Sequence, residues 1–473
     1  MTAPASDAAA ADEAPNGPPR WRELASPALA PRAALITLGV WLNAADSLVT
    51  ATIMPSVAHG LDAYAWFGWA AAGFLTGAIA AGASAGRLAE RIGLRAAMAI
   101  AAMVYAAGCA ASAFSPGIAS FLVGRVVQGI GAGWVVGFCY VAIGQVFPQR
   151  IWPRMFGAMS GVWGAASLLG PLVGGLFAAA GIWRACFWMF GGQALVFALA
   201  ALALIPARVR SDASPRAFAG ATLAVLSAAI ACIALAGVLE GLWTAAGLCA
   251  AGLLLMVLAI RINASPGQRL LPPEAGQPRT RAGAGYAMIF ALAAAGSVIG
   301  VYGAAVLQAV HGLSPLAAGY VVCAEAMAWT LFALWVSVQP QRRHKLLIRL
   351  GPAVVVAGVA MVAASIGRAD VWIIVGAAVV QGAGYGLCWS LATARILGAL
   401  PDEDRGVGAS AVPTTQMIGS AAGAAACGAL ANALGLAHGF SAAAAQTNAI
   451  WLFGASVPVA AAGLIAALRL ARD

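Results

Sequence analysis

Charge is scarce in this chain. Only 9% of its 473 residues are Asp, Glu, Lys or Arg, and lysine occurs once, at Lys345. Soluble domains carry about 25% charged residues, so a water-covered globular surface is excluded. Histidine is nearly as rare: His59, His311, His344 and His438 lie far apart and form no metal or nucleophile spacing. The eight cysteines stand singly in apolar runs with no C-x-x-C pair, which excludes a zinc ribbon or a disulfide scaffold and leaves them as small hydrophobes. A P-loop is missing too, because the one lysine follows Gln341-Arg342-Arg343-His344 rather than a glycine run. No metal, cofactor or enzymatic centre is expected.

What the chain has is apolar length. It is 62% hydrophobic, with a mean hydropathy of +0.89. At about 30 residues per bilayer-spanning helix and its loop, the length allows roughly 14–16 spans. Apolar segments long enough to cross fall at about 33–57, 66–86, 96–115, 118–145, 154–179, 185–205, 218–239, 242–261, 283–308, 315–338, 347–367, 371–394, 407–434 and 448–469. Reading 218–261 as one helix instead would reverse every later loop. The arginines decide against that: Arg87/Arg91/Arg95, Arg150/Arg154, Arg208/Arg210/Arg216, Arg279/Arg281 and Arg342/Arg343/Arg349 then all fall on one side, as the positive-inside rule requires. The net charge of +10 is thereby absorbed by topology, and no nucleic-acid partner is implied. Both termini are expected in the cytoplasm. Residues 1–31, rich in Ala and Pro and lacking the basic start and apolar core of a signal peptide, read as a disordered cytoplasmic tail.

The chain also repeats itself. Val126-Val127-Gln128-Gly129-Ile130-Gly131-Ala132-Gly133 in the fourth segment answers Val379-Val380-Gln381-Gly382-Ala383-Gly384-Tyr385-Gly386 in the twelfth. Arg154-x-x-Gly157-Ala158 answers Arg405-x-x-Gly408-Ala409. A shift of eight helices in parallel orientation predicts an all-α integral membrane fold of 14 transmembrane helices: two six-helix bundles in parallel repeat plus an inserted helix pair, 6+2+6. The expected parts are an N-terminal bundle over 32–206, the inserted pair over 207–262, a cytoplasmic linker over 263–282 and a C-terminal bundle over 283–473. The many G-x-x-x-G pairs, Gly129/Gly133 and Gly382/Gly386 among them, suit close helix packing.

Three ionisable residues fall deep inside the spans: Asp46, Arg125 and Glu325. Each needs a partner, a cavity or a proton, because an isolated charge at mid-bilayer costs a few kcal/mol or more. Asn43, Asp46 and Thr50 share a helix face, as do Arg125 and Gln128, and Trp329 lies one turn from Glu325. Asp46 and Arg125 read either as a fixed ion pair tying two helices or as a carboxylate that gains and loses a proton as a cavity opens to either side. Glu325 reads as a permanently protonated, hydrogen-bonded acid, as a participant in coupling or as a cargo contact.

These residues sit within motifs that resemble the major facilitator superfamily, specifically its fourteen-helix drug:proton antiporter branch. Asp46-Ser47-Leu48-Val49-Thr50-Ala51-Thr52-Ile53-Met54-Pro55 is similar to the branch's D-x-T-x-V-x-x-A-L-P. Gly86-Arg87-Leu88-Ala89-Glu90-Arg91-Ile92-Gly93-Leu94-Arg95 is similar to the family's loop after the second helix, with Glu90 where Asp is usual. Arg125 to Gly133 is similar to R-x-x-Q-G-x-G-x-G, and Gly164 with Gly170-Pro171-Leu172-Val173-Gly174-Gly175 is similar to the antiporter motif of the fifth helix. The resemblance implies a proton-coupled secondary exporter of amphipathic drugs or small metabolites, cations among them, driven by the proton gradient and needing no cofactor. It implies proton coupling by Asp46 and Arg125; Glu325, which departs from the apolar run expected in relatives, joins them as a coupling candidate by its depth. Asn43, Thr50, Gln128 and Trp329 are the expected cavity residues. Gly86, Glu90, Arg91, Gly93 and Arg95, with Gly170, Pro171, Gly174 and Gly175, are the expected gating elements, Glu90 and Arg91 in an ion-pair network near the thirteenth helix. A multi-pass monomer in the bacterial inner membrane is expected, its partners being protons, the lipid bilayer and the small-molecule cargo. An uncoupled facilitator or lipid-handling flippase with structural acids is the other open reading.

Overall fold

The computed structural model describes residues 21–148, 151–206, 219–236, 238–239, 242–265, 269–337, 339–401, 405–436 and 441–472. Most of the expected tail, Arg150 and the basic cluster at Arg208, Arg210 and Arg216 lie outside them. After a short helical turn, Trp21–Leu24, come α1 (Ala30–Leu61), α2 (Phe67–Ile92), α3 (Leu94–Ala113), α4 (Ile118–Val146), α5 (Trp152–Ala179) and α6 (Arg184–Leu204). They are followed by α7 (Gly220–Leu235), α8 (Leu242–Asn263), α9 (Arg281–His311), α10 (Pro315–Ser337), α11 (His344–Ser365), α12 (Val371–Gly398), α13 (Arg405–Ala433) and α14 (Ala442–Leu470).

Among the described residues, twelve helices are long and apolar enough to cross a membrane, so the expected fourteen spans in a 6+2+6 arrangement are corrected to twelve candidates. The two that fall short do so for different reasons. Helix α7 has 16 residues, about 24 Å at 1.5 Å per residue, less than a hydrocarbon core of about 30 Å. Helix α13 is long enough, but its sequence is mainly Gly, Ala, Ser and Thr, and small side chains carry too little apolar surface.

The helix pairings repeat with a shift of eight. Helix α2 packs on α4 as α10 packs on α12, α3 on α4 as α11 on α12, α1 on α5 as α9 on α13, and α3 on α6 as α11 on α14. The two sets meet along α2 with α13 and α5 with α10. Helix α7 covers the first of these seams, placing Leu223, Leu226 and Ile230 against Ala72, Ile79, Ile418 and Ala421. Helix α8 packs on α7 and leaves Leu253 and Leu254 exposed, a face suited to lipid.

Glycine sets the distances. A Cβ on Gly129 would strike the Phe74 carbonyl of α2, and one on Gly382 would strike the Glu325 carbonyl of α10. These are the same positions of the repeat. A single residue, Gly93, joins α2 to α3 at φ +81°, a backbone that L side chains adopt only under strain. The segment 86–95, expected as a loop, is therefore mostly helix, with the reversal made at Gly93. Close approaches between the two sets lie at the far end of α2 from Gly93: a Cβ on Gly68 would lie 2.7 Å from the Ala424 carbonyl, and Phe67 stacks on Tyr302 at 5.1 Å.

Two glycines of α12 provide a controlled comparison. Gly376 faces open space whereas Gly382 is closed by Glu325. Gly382→Ala is expected to lower stability in detergent by about 1–3 kcal/mol, the usual cost of overpacking, with Gly376→Ala near neutral. Equal thermal shifts for both variants would contradict the packing described.

Candidate functional site

The first half holds a buried ion pair. Arg125 on α4 is 2% exposed and Asp46 on α1 is 0% exposed. Nη1 of Arg125 donates to both Asp46 oxygens at 3.2 Å and to Gln128 Oε1 at 2.8 Å. Thr50, one turn along α1, donates its hydroxyl to Asp46 Oδ1 at 3.1 Å. The ring of Phe74 lies 4.5 Å from the guanidinium carbon, a cation–π contact that offsets part of the desolvation. Gln128 reaches this cluster because α3 approaches α4 at Gly108, where a Cβ would strike Gln128.

The second half repeats the scaffold with different chemistry. Gln381 stands at the repeat position of Gln128 and abuts Gly358. Ala378 stands where Arg125 stands in the first half. Glu325 takes the place of Phe74, since it faces Gly382 as Phe74 faces Gly129. Gln381 Nε2 donates to Glu325 Oε1 at 3.0 Å, and among the described residues Glu325 has no cationic partner. Trp329 stacks on Tyr385 at 4.9 Å and lies 5.0 Å from Trp389. A carboxyl and three aromatic rings thus share one wall.

Between the halves lies a cavity of about 350 Å³. Thr50, Phe74 and Arg125 line it from one side, and Glu325, Trp329, Tyr385 and Trp389 from the other. Of the residues singled out from sequence, Thr50, Arg125, Glu325 and Trp329 face this space together. Asp46 and Gln128 are buried and are not part of the lining, and both are bonded to Arg125, which is. Asn43 is only partly buried, is not part of the lining, and contributes a backbone carbonyl to Ser47. The sequence reading did not single out Phe74, Tyr385 and Trp389. Gln381, Tyr385 and Trp389 follow one another at i, i+4 and i+8 on one helix face, a signal that could have found them.

The expected gating residues divide. Gly170 and Gly174 press on α1, where added Cβ atoms would lie 2.7 Å from Leu48 and 3.0 Å from Thr52. Pro171 and Gly175 face α10 of the other half, against Gly319 and Leu316. Gly86 lies within α2, and Gly93 makes the turn. Arg95 lies in the first turn of α3 and is partly buried. Glu90 and Arg91 are exposed and form no ion pair among the described residues. The start of the thirteenth helix, to which the expected ion-pair network would reach, includes Asp402, Glu403 and Asp404, which lie outside the described residues.

Two helix sets in parallel repeat around a central polar-and-aromatic cavity define a membrane transporter architecture. Residues 36–424 match the Major Facilitator Superfamily, and the chain belongs to that family of transporters. It is 28% identical over 466 residues to a probable multidrug-efflux transporter of Mycobacterium tuberculosis, covering 95% of this chain and 96% of that protein. It is also 28% identical to vacuolar basic amino acid transporter 5 of Saccharomyces cerevisiae, over 35% of this chain and 29% of the relative. In fold it is similar to a D-xylose-proton symporter (TM-score 0.66, 18% identity, 94% of this chain and 97% of that one). It is similarly close to the POT family transporter PepTSo (TM-score 0.66, 13% identity, 96% and 98%).

Removing one member of a buried pair strands the other, at a cost of about 3–5 kcal/mol, whereas replacing both by apolar groups is far milder. Asp46→Leu is expected to destabilise the protein on that scale in mixed micelles. Adding Arg125→Met should recover at least half of the loss. Additive losses in the double variant would mean that the two residues do not interact.

Proposed function

We propose that this protein is a proton-coupled exporter of amphipathic cations, working as an antiporter in a bacterial cytoplasmic membrane with both termini inside. The observation that carries the reading is the charge arrangement around the cavity. Asp46 and Arg125 cancel each other, while Glu325 faces the same space with only an amide beside it. A lone carboxyl in so apolar a setting is matched either by a proton or by a cationic cargo. Proton and cargo therefore compete for one site, which is the elementary requirement for exchange. The aromatic wall of Trp329, Tyr385 and Trp389 offers flat apolar surface and cation–π attraction of about 0.5–2 kcal/mol. The multidrug-efflux description of the mycobacterial relative supports the same cargo class.

In this account the Asp46–Arg125 pair is the second coupling element. Arg125 lines the cavity and holds Asp46, which does not, so a cargo-induced movement of α1 against α4 would change which charges face water. The two six-helix bundles, 32–206 and 283–473, would rock about the cavity, with the pair over 207–262 and the linker over 263–282 between them. The close glycine contacts of α5 with α1 and α10 are the surfaces that slide. Glu90, Arg91 and Arg95 would lock the end at which they lie when the halves approach there.

Tetraphenylphosphonium added to the detergent-purified protein in weakly buffered solution should release protons into the medium. Binding without proton release would support the uncoupled facilitator reading instead.

Glu325→Gln removes the competing charge while keeping the hydrogen-bonding shape. It should abolish that release and weaken cationic compounds by tenfold or more, since about 1.4 kcal/mol corresponds to tenfold, while sparing neutral ones. An equal loss for cationic and neutral compounds would make Glu325 a structural residue.

A further inference from the structure

The guanidinium of Arg125 is only half used. All three of its hydrogen bonds, to the two Asp46 oxygens and to Gln128, come from Nη1. Nε has no partner although it is buried, and Nη2 makes no hydrogen bond among the described residues. Nε–H and Nη2–H point the same way in the plane of the group and form a two-pronged donor edge. The Phe74 and Phe187 rings lie 4.5 Å and 6.0 Å from the guanidinium carbon, which leaves the plane of the group as the direction for a ligand acceptor. Arg125 itself lines the cavity, across from Glu325 and the aromatic wall. A buried Nε–H without an acceptor is costly, and in a residue that lines the cavity the unused edge is the part of the group left for a ligand acceptor.

Charge counting decides which kind of acceptor. Among the described residues, the charged ones in the cavity lining or paired with it are Asp46, Arg125 and Glu325. Asp46 already neutralises Arg125, so a cargo carboxylate on the free edge would add an unbalanced negative charge in an apolar cavity. A neutral acceptor adds none. We infer that the free edge of Arg125 is a specificity subsite for a neutral carbonyl-type oxygen, so that the preferred cargo is an amphipathic monocation bearing such an oxygen, its cationic centre at Glu325. This rests on the cavity being the cargo site proposed above. It goes beyond that proposal by giving Arg125 a direct hydrogen bond to cargo in addition to its ion pair.

The test uses a matched pair of probes: phenacyltrimethylammonium, which has the ketone, and phenethyltrimethylammonium, which has a methylene in its place. Their dissociation constants are measured by isothermal titration calorimetry on the detergent-purified full chain. The wild type should bind the ketone about tenfold more tightly, the usual return on a hydrogen bond from a charged donor. Arg125→Lys keeps a positive charge for Asp46 but has no such edge, and should bring the ratio below about twofold. Glu325→Gln should weaken both cations and leave the ratio unchanged. Equal binding of the two probes by the wild type overturns the proposal, as does a ratio that survives in Arg125→Lys. Uncharged analogues with a tert-butyl group in place of trimethylammonium separate the two claims. If these show the ketone preference while neither cation binds, the subsite stands and the cationic reading of the cavity fails.

Discussion

An arginine deep among apolar helices is tolerated only if its charge is met, and Asp46 meets it. That requirement ties α1 to α4 and brings Thr50 and Gln128 inward to complete the hydrogen bonding. It also places Phe74 of α2 against the guanidinium. Three helices are thus drawn together by one charge. The glycines at 108 and 129 then let α3 and α2 come close enough to α4 for these contacts to form. The polar cluster and the small-residue packing are two aspects of one constraint: in an apolar surround, a polar group must be satisfied by neighbours rather than water.

The pseudo-repeat makes the chemistry of the second half easier to interpret. The same glutamine and the same glycines recur there, so the backbone scaffold is conserved between halves while the charged side chains are not. Where the first half has a phenylalanine beneath an arginine, the second has an acid beside an amide and an alanine in the arginine's place. One half is electrically closed and the other is open. The family fold provides a central cavity, and this asymmetry gives the cavity one carboxyl with no cationic partner among the described residues, on which the proposed exchange depends.

Much of this was legible in the sequence, and what was not has physical causes. Apolar run length located the helices, and the V-V-Q-G-x-G-x-G repeat anticipated their pairing. Run length overstated α7, because an apolar stretch of twenty residues does not have to be helical throughout. It also overstated α13, where small side chains keep the sequence apolar in type but poor in surface. Depth arguments singled out Asp46, Arg125 and Glu325, because buried charge is rare enough to be conspicuous. They could not tell which face of a helix looks into the cavity. Asn43 shares a stripe with Asp46 and does not line the cavity, whereas Trp389, on a helix already marked by its repeat, does.

The central claim is that cargo movement and proton movement are obligatorily linked through the cavity acid. The most direct measurement is cation flux in proteoliposomes with an imposed pH gradient, acidic inside, and the membrane potential clamped. The account predicts accumulation of a permanently charged lipophilic cation inside the vesicles, abolished when nigericin collapses the pH gradient at constant potential. Flux of the same rate and extent with and without the gradient would contradict it and leave an uncoupled carrier of the same fold.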